Sequence, residues 1–433
     1  MSDSQRDSGL VRAVGTGGLS ANIINIVVGA GIFAVPAALA ASTGLYAPVA
    51  FLICAMIIGA VAICFAEGGS RIPTSGGAYG YIAAAFGPLV GYVAGTLLWF
   101  GDVLACGGVS AAFADVVVSV LPVRVVAPAH AAVVIGVIGG VAAVNVGGVA
   151  RGARLVNAVL SIKLIPILIF VVVGATAIHR ANFVQMVSPN TAGLGRALIL
   201  ALFVFTGMEA SLTASGEVEQ PARTIPRALG VAMVAVTVLY IAIQVIAQGI
   251  LGSALANSTV PLADAMARIS PGLRLLMLAG AALSMFGWLG SDLLGSPRML
   301  FAFARDGLLP RFLGRVHPGT HAPHVAILCY AGLAIGLALT GTFAELAVLA
   351  TLASAVLYIG GCVAAWKLAR RGVALAGTPL NFPWLGAAMV TGVAGMLVMI
   401  ALASRAEIIG LLALVAASTL IYLLYAPGGR HRG

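Results

Sequence analysis

Twelve apolar runs follow one another along this chain of 433 residues and leave it few ways to fold. They lie at 17–41, 45–66, 88–119, 128–147, 155–176, 194–215, 227–251, 272–300, 323–340, 343–367, 382–403 and 407–426. A helix crossing a bilayer needs roughly 20 mostly apolar residues, because every backbone polar group must be satisfied inside the segment. Hydrophobic residues make up 61% of the chain and charged ones 8%, and no soluble core needs so much apolar surface. The expectation is an all-α integral membrane protein of about 12 transmembrane helices, forming one transmembrane domain over 1–433. The segment 1–16 is expected as a polar cytoplasmic tail. The first run is too long for a signal-peptide core and lacks a small-residue cleavage site, so it is expected to be retained.

The formal charge of +10 would suggest nucleic acid only if the basic residues gathered on one solvated face. They sit instead between the apolar runs. With the N-terminus inside, sixteen fall on inner segments, among them Arg71, Arg223, Arg227, Arg298, Arg305 and Arg371, and six on outer ones: Arg124, Arg180, Arg196, Arg268, Arg274 and Arg405. That bias places both termini in the cytoplasm by the positive-inside rule. The one basic residue left over, Lys163, lies within the fifth run. Cys54, Cys64, Cys106, Cys329 and Cys362 fall in or beside apolar runs without metal-ligand spacing and read as small core residues. His317, His321 and His324 lie in a Pro-rich loop without acidic or thiol ligands, so no metal is expected.

The runs contain 55 glycines, and two places read as breaks. In run 1, Val27-Val28-Gly29-Ala30-Gly31 is followed by Pro36. In run 6, Phe203-Val204-Phe205-Thr206-Gly207 is followed by the acid Glu209. If runs 1–5 and 6–10 are two repeats, the breaks occupy matching positions, the pattern of an inverted-repeat transporter with a midplane site. The alternative reading of the Gly-Ala-Gly step is close helix contact.

At these residues the chain resembles the amino acid, polyamine and organocation transporter superfamily. GAGIF in run 1 resembles that superfamily's broken first helix, and Phe205–Leu229 its sixth helix and following loop. Ile72–Pro88, Ala153–Phe170 and the segment SPRMLFAFARDGLLP with VHPGTHAPHVAIL are also similar, in the same order. The resemblance implies a five-plus-five inverted repeat, at 17–176 and 194–367, with two C-terminal helices at 382–426 and alternating access about a central site. It implies that N–H groups at Val27, Val28, Gly29, Ala30 and Gly31 hold a substrate carboxylate, as helix N-termini hold anions. Carbonyls at Phe203, Val204, Phe205 and Thr206, next to Gly207, would take the ammonium.

Charges at membrane depth cost at least about 2.5–3.5 kcal/mol on insertion scales, so each needs a partner or a task. Lys163, where related transporters bind sodium, is assigned to proton coupling, with a fixed brace as the other reading. Glu209 is read as bracing the sixth helix, taking a proton or sensing a cationic substrate. Asp102 and Asp292 are possible pathway acids; Asp292 can pair with Lys163 or line a vestibule. Glu217, Glu219, Arg223 and Arg227, with Arg298, Arg305 and Asp306, are candidate gate ion pairs or solvated loop charges. Phe203 and Phe205 are candidate aromatic gates, while Trp99, Trp288, Trp366 and Trp384 read as interface or packing residues.

The expected function is secondary active transport of amino acids or related amines, proton-coupled, in the cytoplasmic membrane. Exchange against amino acids or polyamines and sodium-coupled symport are the alternatives. A channel would not need two matched breaks, and the scattered acids show no nucleophile or metal motif of an enzyme. The expected partners are a small-molecule substrate and the lipid bilayer. No cofactor, nucleic acid or obligate protein partner is expected.

Overall fold

Each of the twelve apolar runs meets a helix in the computed structural model, which describes residues 15–72, 78–122, 126–147, 163–183, 191–207, 221–375 and 379–425. Run 1 divides into α1 (Thr16–Val27) and α2 (Val35–Thr43), with a 3-10 turn at Gly31–Phe33 between them. Then come α3 (Ala47–Arg71), a short α4 (Ala78–Phe86), α5 (Pro88–Val118), α6 (Val126–Val146), α7 (Leu164–Gly174) and α8 (Thr191–Phe205). The second half holds α9 (Pro221–Leu251), a short α10 (Pro261–Ala267), α11 (Pro271–Gly295), α12 (Pro297–Arg305), α13 (His324–Thr340), α14 (Phe343–Arg370), α15 (Leu385–Ala401) and α16 (Arg405–Tyr425). Among the described residues, seven helical spans are long and apolar enough to cross a membrane by length and composition, and four shorter apolar helices accompany them. The fold is that of an all-helical integral membrane protein.

Local chemistry sets the helix starts. Proline opens α5, α9, α10, α11 and α12, at a position where its missing N–H costs nothing and its fixed φ suits the helix. α14 begins with a capping box in which Thr342 and Glu345 satisfy each other's backbone N–H. Ser404 and Glu407 repeat that exchange ahead of α16, and Arg196 of α8 reaches Glu407 at 2.8 Å. Small residues then let the helices approach. A Cβ at Gly280 of α11 would sit 2.5 Å from the ring of Pro166 in α7, so the two helices meet at a point that only glycine allows.

One polar knot was not expected. Glu67 and Arg71, one turn apart at the end of α3, form a 2.7 Å ion pair, with side chains 0% and 4% exposed. The Glu67 carboxylate also accepts the N–H groups of Asn381 and Phe382 at 3.2 and 2.9 Å. Arg71 donates to the Val373 carbonyl at 3.1 Å and to Asn381 Oδ1 at 2.6 Å. The knot thus fastens α3 to the linker between α14 and α15. A buried pair offsets its desolvation only when its remaining hydrogen-bonding groups are satisfied, which this arrangement does. Glu67→Ala is expected to destabilise the fold by about 3–5 kcal/mol, the range for leaving one buried charge alone. The check is the thermal midpoint of the detergent-solubilised protein, and an unchanged midpoint would contradict the buried pair.

Candidate functional site

The hydrogen bonds of α1 run regularly as far as Val28, whose N–H reaches the Ile24 carbonyl at 2.8 Å. The Gly29 N–H then turns back onto Val27 O at 2.7 Å instead of reaching Asn25. Helical bonding resumes with Phe33 N–H to Ala30 O at 3.3 Å and Ala34 N–H to Gly31 O at 3.0 Å. The first helix is therefore broken across Val28, Gly29 and Ala30. The sixth was expected to continue to 215, but α8 ends at Phe205, and Gly207 takes φ +101°, a conformation that side chains resist. Met208, Glu209, Glu217 and Glu219 lie outside the described residues.

The two interruptions face each other. A Cβ on Gly31 would meet Val204 Cγ1 at 2.8 Å and the Phe203 ring at 3.2 Å. Gly29 and Gly31 thus carry both meanings weighed for them, a break and a close contact. Tyr240 of α9, fully buried, places its hydroxyl 2.8 Å from Val27 O and 3.0 Å from Val204 O, so one group serves a carbonyl from each broken helix. Its ring packs against Phe205 at 5.2 Å and Phe51 at 5.5 Å. Phe205 is therefore core behind the site, not a gate. Phe203 stands edge-on to Phe343 of α14 at 5.7 Å, which suits a gate.

Further along the same face of α9, Gln244 donates to Pro36 O at 3.2 Å and Gln248 to Gly44 O at 2.6 Å. Steps of four residues keep Tyr240, Gln244 and Gln248 on one helical face. Sequence reading missed this stripe, although two buried glutamines at that spacing in an apolar helix were its visible signal.

Lys163 sits just ahead of α7, 4% exposed, and its ammonium donates to the carbonyl of Asn25. That carbonyl is the one Gly29 left without its helical N–H. Lys163 and Asp292 do not pair: among the described residues no ion pair joins them. Each is otherwise engaged, Lys163 by Asn25 and Asp292 by Tyr330 at 2.6 Å and Ser296 at 3.0 Å. Ser296 also lies 2.7 Å from Asp102. A serine hydroxyl has a single hydrogen, so between two carboxyl groups it donates to one and accepts from the other. The bridge is complete when one of the two acids carries a proton, the behaviour of coupled carboxyl pairs.

Trp288 of α11 comes to the first break, its Cδ1 3.5 Å from a Cβ position on Gly29. It lines the candidate site, where sequence reading had set it among packing residues. Arg305 pairs with its neighbour Asp306 at 3.2 Å in solvent and, among the described residues, joins no other element. The assembled site is a pair of facing backbone breaks with unequal surroundings. Behind Val27 and Val204 lies a dry aromatic core. Beside Gly29 and Gly31 stand Trp288, Phe203 and Val204, and backbone N–H and C=O groups supply the polarity. Tyr240→Phe is expected to cost about 1–3 kcal/mol, because the buried Val27 and Val204 carbonyls lose the one hydroxyl hydrogen they share, and to lower transport at unchanged membrane insertion. The thermal midpoint and solute uptake of the purified variant check this.

Residues 15–403 match the family model described as amino acid permease. An uncharacterised transporter of Mycobacterium tuberculosis (strain H37Rv) is 34% identical over 78% of this chain and 74% of its own. The methylthioribose transporter of Bacillus subtilis (strain 168) is 27% identical over 82% and 81%. The branched-chain amino acid permease BcaP of the same organism is 25% identical over 74% and 73%. A broken first helix facing the end of the sixth at Phe205, within a match that covers nearly all the described helices, makes this chain a member of the amino acid permease family and an integral membrane transporter.

Proposed function

We propose that the protein carries a neutral amino acid across the cytoplasmic membrane by alternating access about the two facing breaks, driven by protons. The observation that carries this reading is the joining of both breaks by Tyr240, with Lys163 bound to the first of them. The N–H groups at Ala30 and Gly31 head the segment after the first break and suit a carboxylate, as N–H groups without helical partners do, whereas Gly29 N–H already turns onto Val27 O at 2.7 Å. On the other side, Phe203 O already takes the Thr206 hydroxyl at 2.6 Å and the Thr206 N–H at 3.3 Å. The ammonium is therefore assigned to Val204 O, which keeps one lone pair, and to Phe205 O and Thr206 O. Trp288, Val204, Phe203 and Phe343 form an apolar surround and favour an uncharged side chain, in line with the branched-chain permease among the relatives.

Lys163 supplies the coupling. While charged, it grips Asn25 O by a charge-assisted hydrogen bond, and losing a proton weakens that bond roughly twofold. The hold on α1 then follows the proton. An ammonium in this place leaves no room for sodium. Both termini are assigned to the cytoplasm on the distribution of arginine. The methylthioribose transporter supports a second reading, a thioether sugar, for which the hydroxyl and carboxyl groups of Ser296, Tyr330, Asp102 and Asp292 are polar partners.

The test is uptake into proteoliposomes of labelled leucine, valine, lysine and methylthioribose, under imposed pH or sodium gradients and with internal substrate varied. Leucine and valine should accumulate under an inward proton gradient, with sodium without effect. Uptake of methylthioribose alone would overturn the amino acid assignment. Lys163→Ala should abolish proton-driven accumulation and leave exchange partly intact; normal accumulation by that variant would overturn the coupling role.

A further inference from the structure

The Glu67–Arg71 knot takes no part in the steps above, yet besides the ion pair itself six hydrogen bonds bind three residues of α3 to one linker. Besides the four already given, Leu375 N–H reaches Arg71 O at 2.9 Å and Leu380 N–H reaches Ser70 Oγ at 3.2 Å. On the side of α3 that faces α4, α14 and α15 the packing is close. A Cβ at Gly361 of α14 would fall 2.5 Å from the Phe65 ring of α3. Phe65 stands edge-on to Tyr358 of α14 at 5.3 Å and to Tyr81 of α4 at 5.7 Å. On α15, Gly392 meets Val61 at 3.1 Å and Gly395 meets Ile57 at 2.6 Å by the same measure. Sliding any of these helices past α3 would drive backbone into a ring or a branched side chain.

The far end of α14 packs on Gly107 and Gly108 of α5 through Leu346 and Phe343, but toward α8 it is joined differently. There Phe343 leans edge-on against Phe203 of α8. Two rings can part without leaving anything unsatisfied, whereas parting Glu67 from Arg71 and the linker strands buried charges. We propose that Glu67 and Arg71 are positioning residues: they hold α3, the linker, α15 and the Arg370 end of α14 as one body throughout transport. Movement of α14 is then taken at Phe343 and Phe203, beside the candidate site. The role in transport rests on the alternating-access reading; the rigid body itself does not.

Two measurements test it. Ser70→Cys with Leu380→Cys, joined by a short bis-methanethiosulfonate, places a reducible covalent tie where the hydrogen bond lies, with each single variant as control for the native thiols. The tied protein should carry the solutes that the untreated protein carries, at an unchanged rate. In the Glu67→Gln background, uptake should be lost, regained on tying and lost again on reduction of the same sample. A tie that stops uptake, a failure of the two thiols to join, or a Glu67→Gln protein indifferent to the tie would each overturn the proposal. Hydrogen exchange needs no substrate and so separates this proposal from the transport reading. The Asn381 and Phe382 amides should exchange as slowly as the hydrogen-bonded amides in the middle of α15 and faster in Glu67→Gln; loop-like exchange in the unaltered protein would overturn the rigid body even if no solute is carried.

Discussion

A helix broken in hydrocarbon leaves N–H and C=O groups that no water can reach, at a cost of several kcal/mol each, and this demand organises the molecule. Carbonyls along the first helix and at its end are met from other elements: Asn25 by Lys163, Val27 by Tyr240, Pro36 within α2 by Gln244 and Gly44 just after α2 by Gln248. Three of the four donors stand on one face of α9. That helix is the splint of the broken one, and its polar face makes sense only because the helix it supports is incomplete.

The same demand explains the asymmetry of the site. Donors crowd the back of the breaks, together with the rings of Phe51, Phe205 and Tyr240. Groups left over on the front are therefore presented to whatever enters. Tyr240 touches both breaks with one hydroxyl, so a shift of either backbone is felt by the other. Coupling between the two halves has a short physical route through a single side chain.

Much of this was legible in the chain. Apolar length marks a helix in each of the twelve runs, since no tertiary detail competes with the bilayer's demand, whereas the short α4 and α10 lie outside those runs. Gly29, Gly31 and Gly207 marked the breaks because glycine leaves a local signature. The partners were not legible. Lys163 could be seen to need a counterpart, and a carboxylate was the natural guess. The answer was a carbonyl, whose availability depends on where Gly29 sends its own N–H. Glu67 and Arg71 passed unread for a similar reason: one turn apart near a helix end, they look like a surface pair, and only the linker from the other end of the chain buries them. Trp288 read as an interface or packing residue, and the chain alone could not say that it packs at the first break, against Gly29.

The lengths of α13 and α15 carry a consequence of their own. Each has 17 residues, about 25 Å at 1.5 Å per residue, against a hydrocarbon layer of about 30 Å. Both show leucine and valine outward, including Leu328, Leu333, Val390 and Leu397. Lipids beside them must thin to match, at fractions of a kcal/mol per Å. Acyl-chain length becomes a mechanical load on the very helix, α15, that is stitched to α3, and membrane composition enters the energetics of the transporter through two of its short spans.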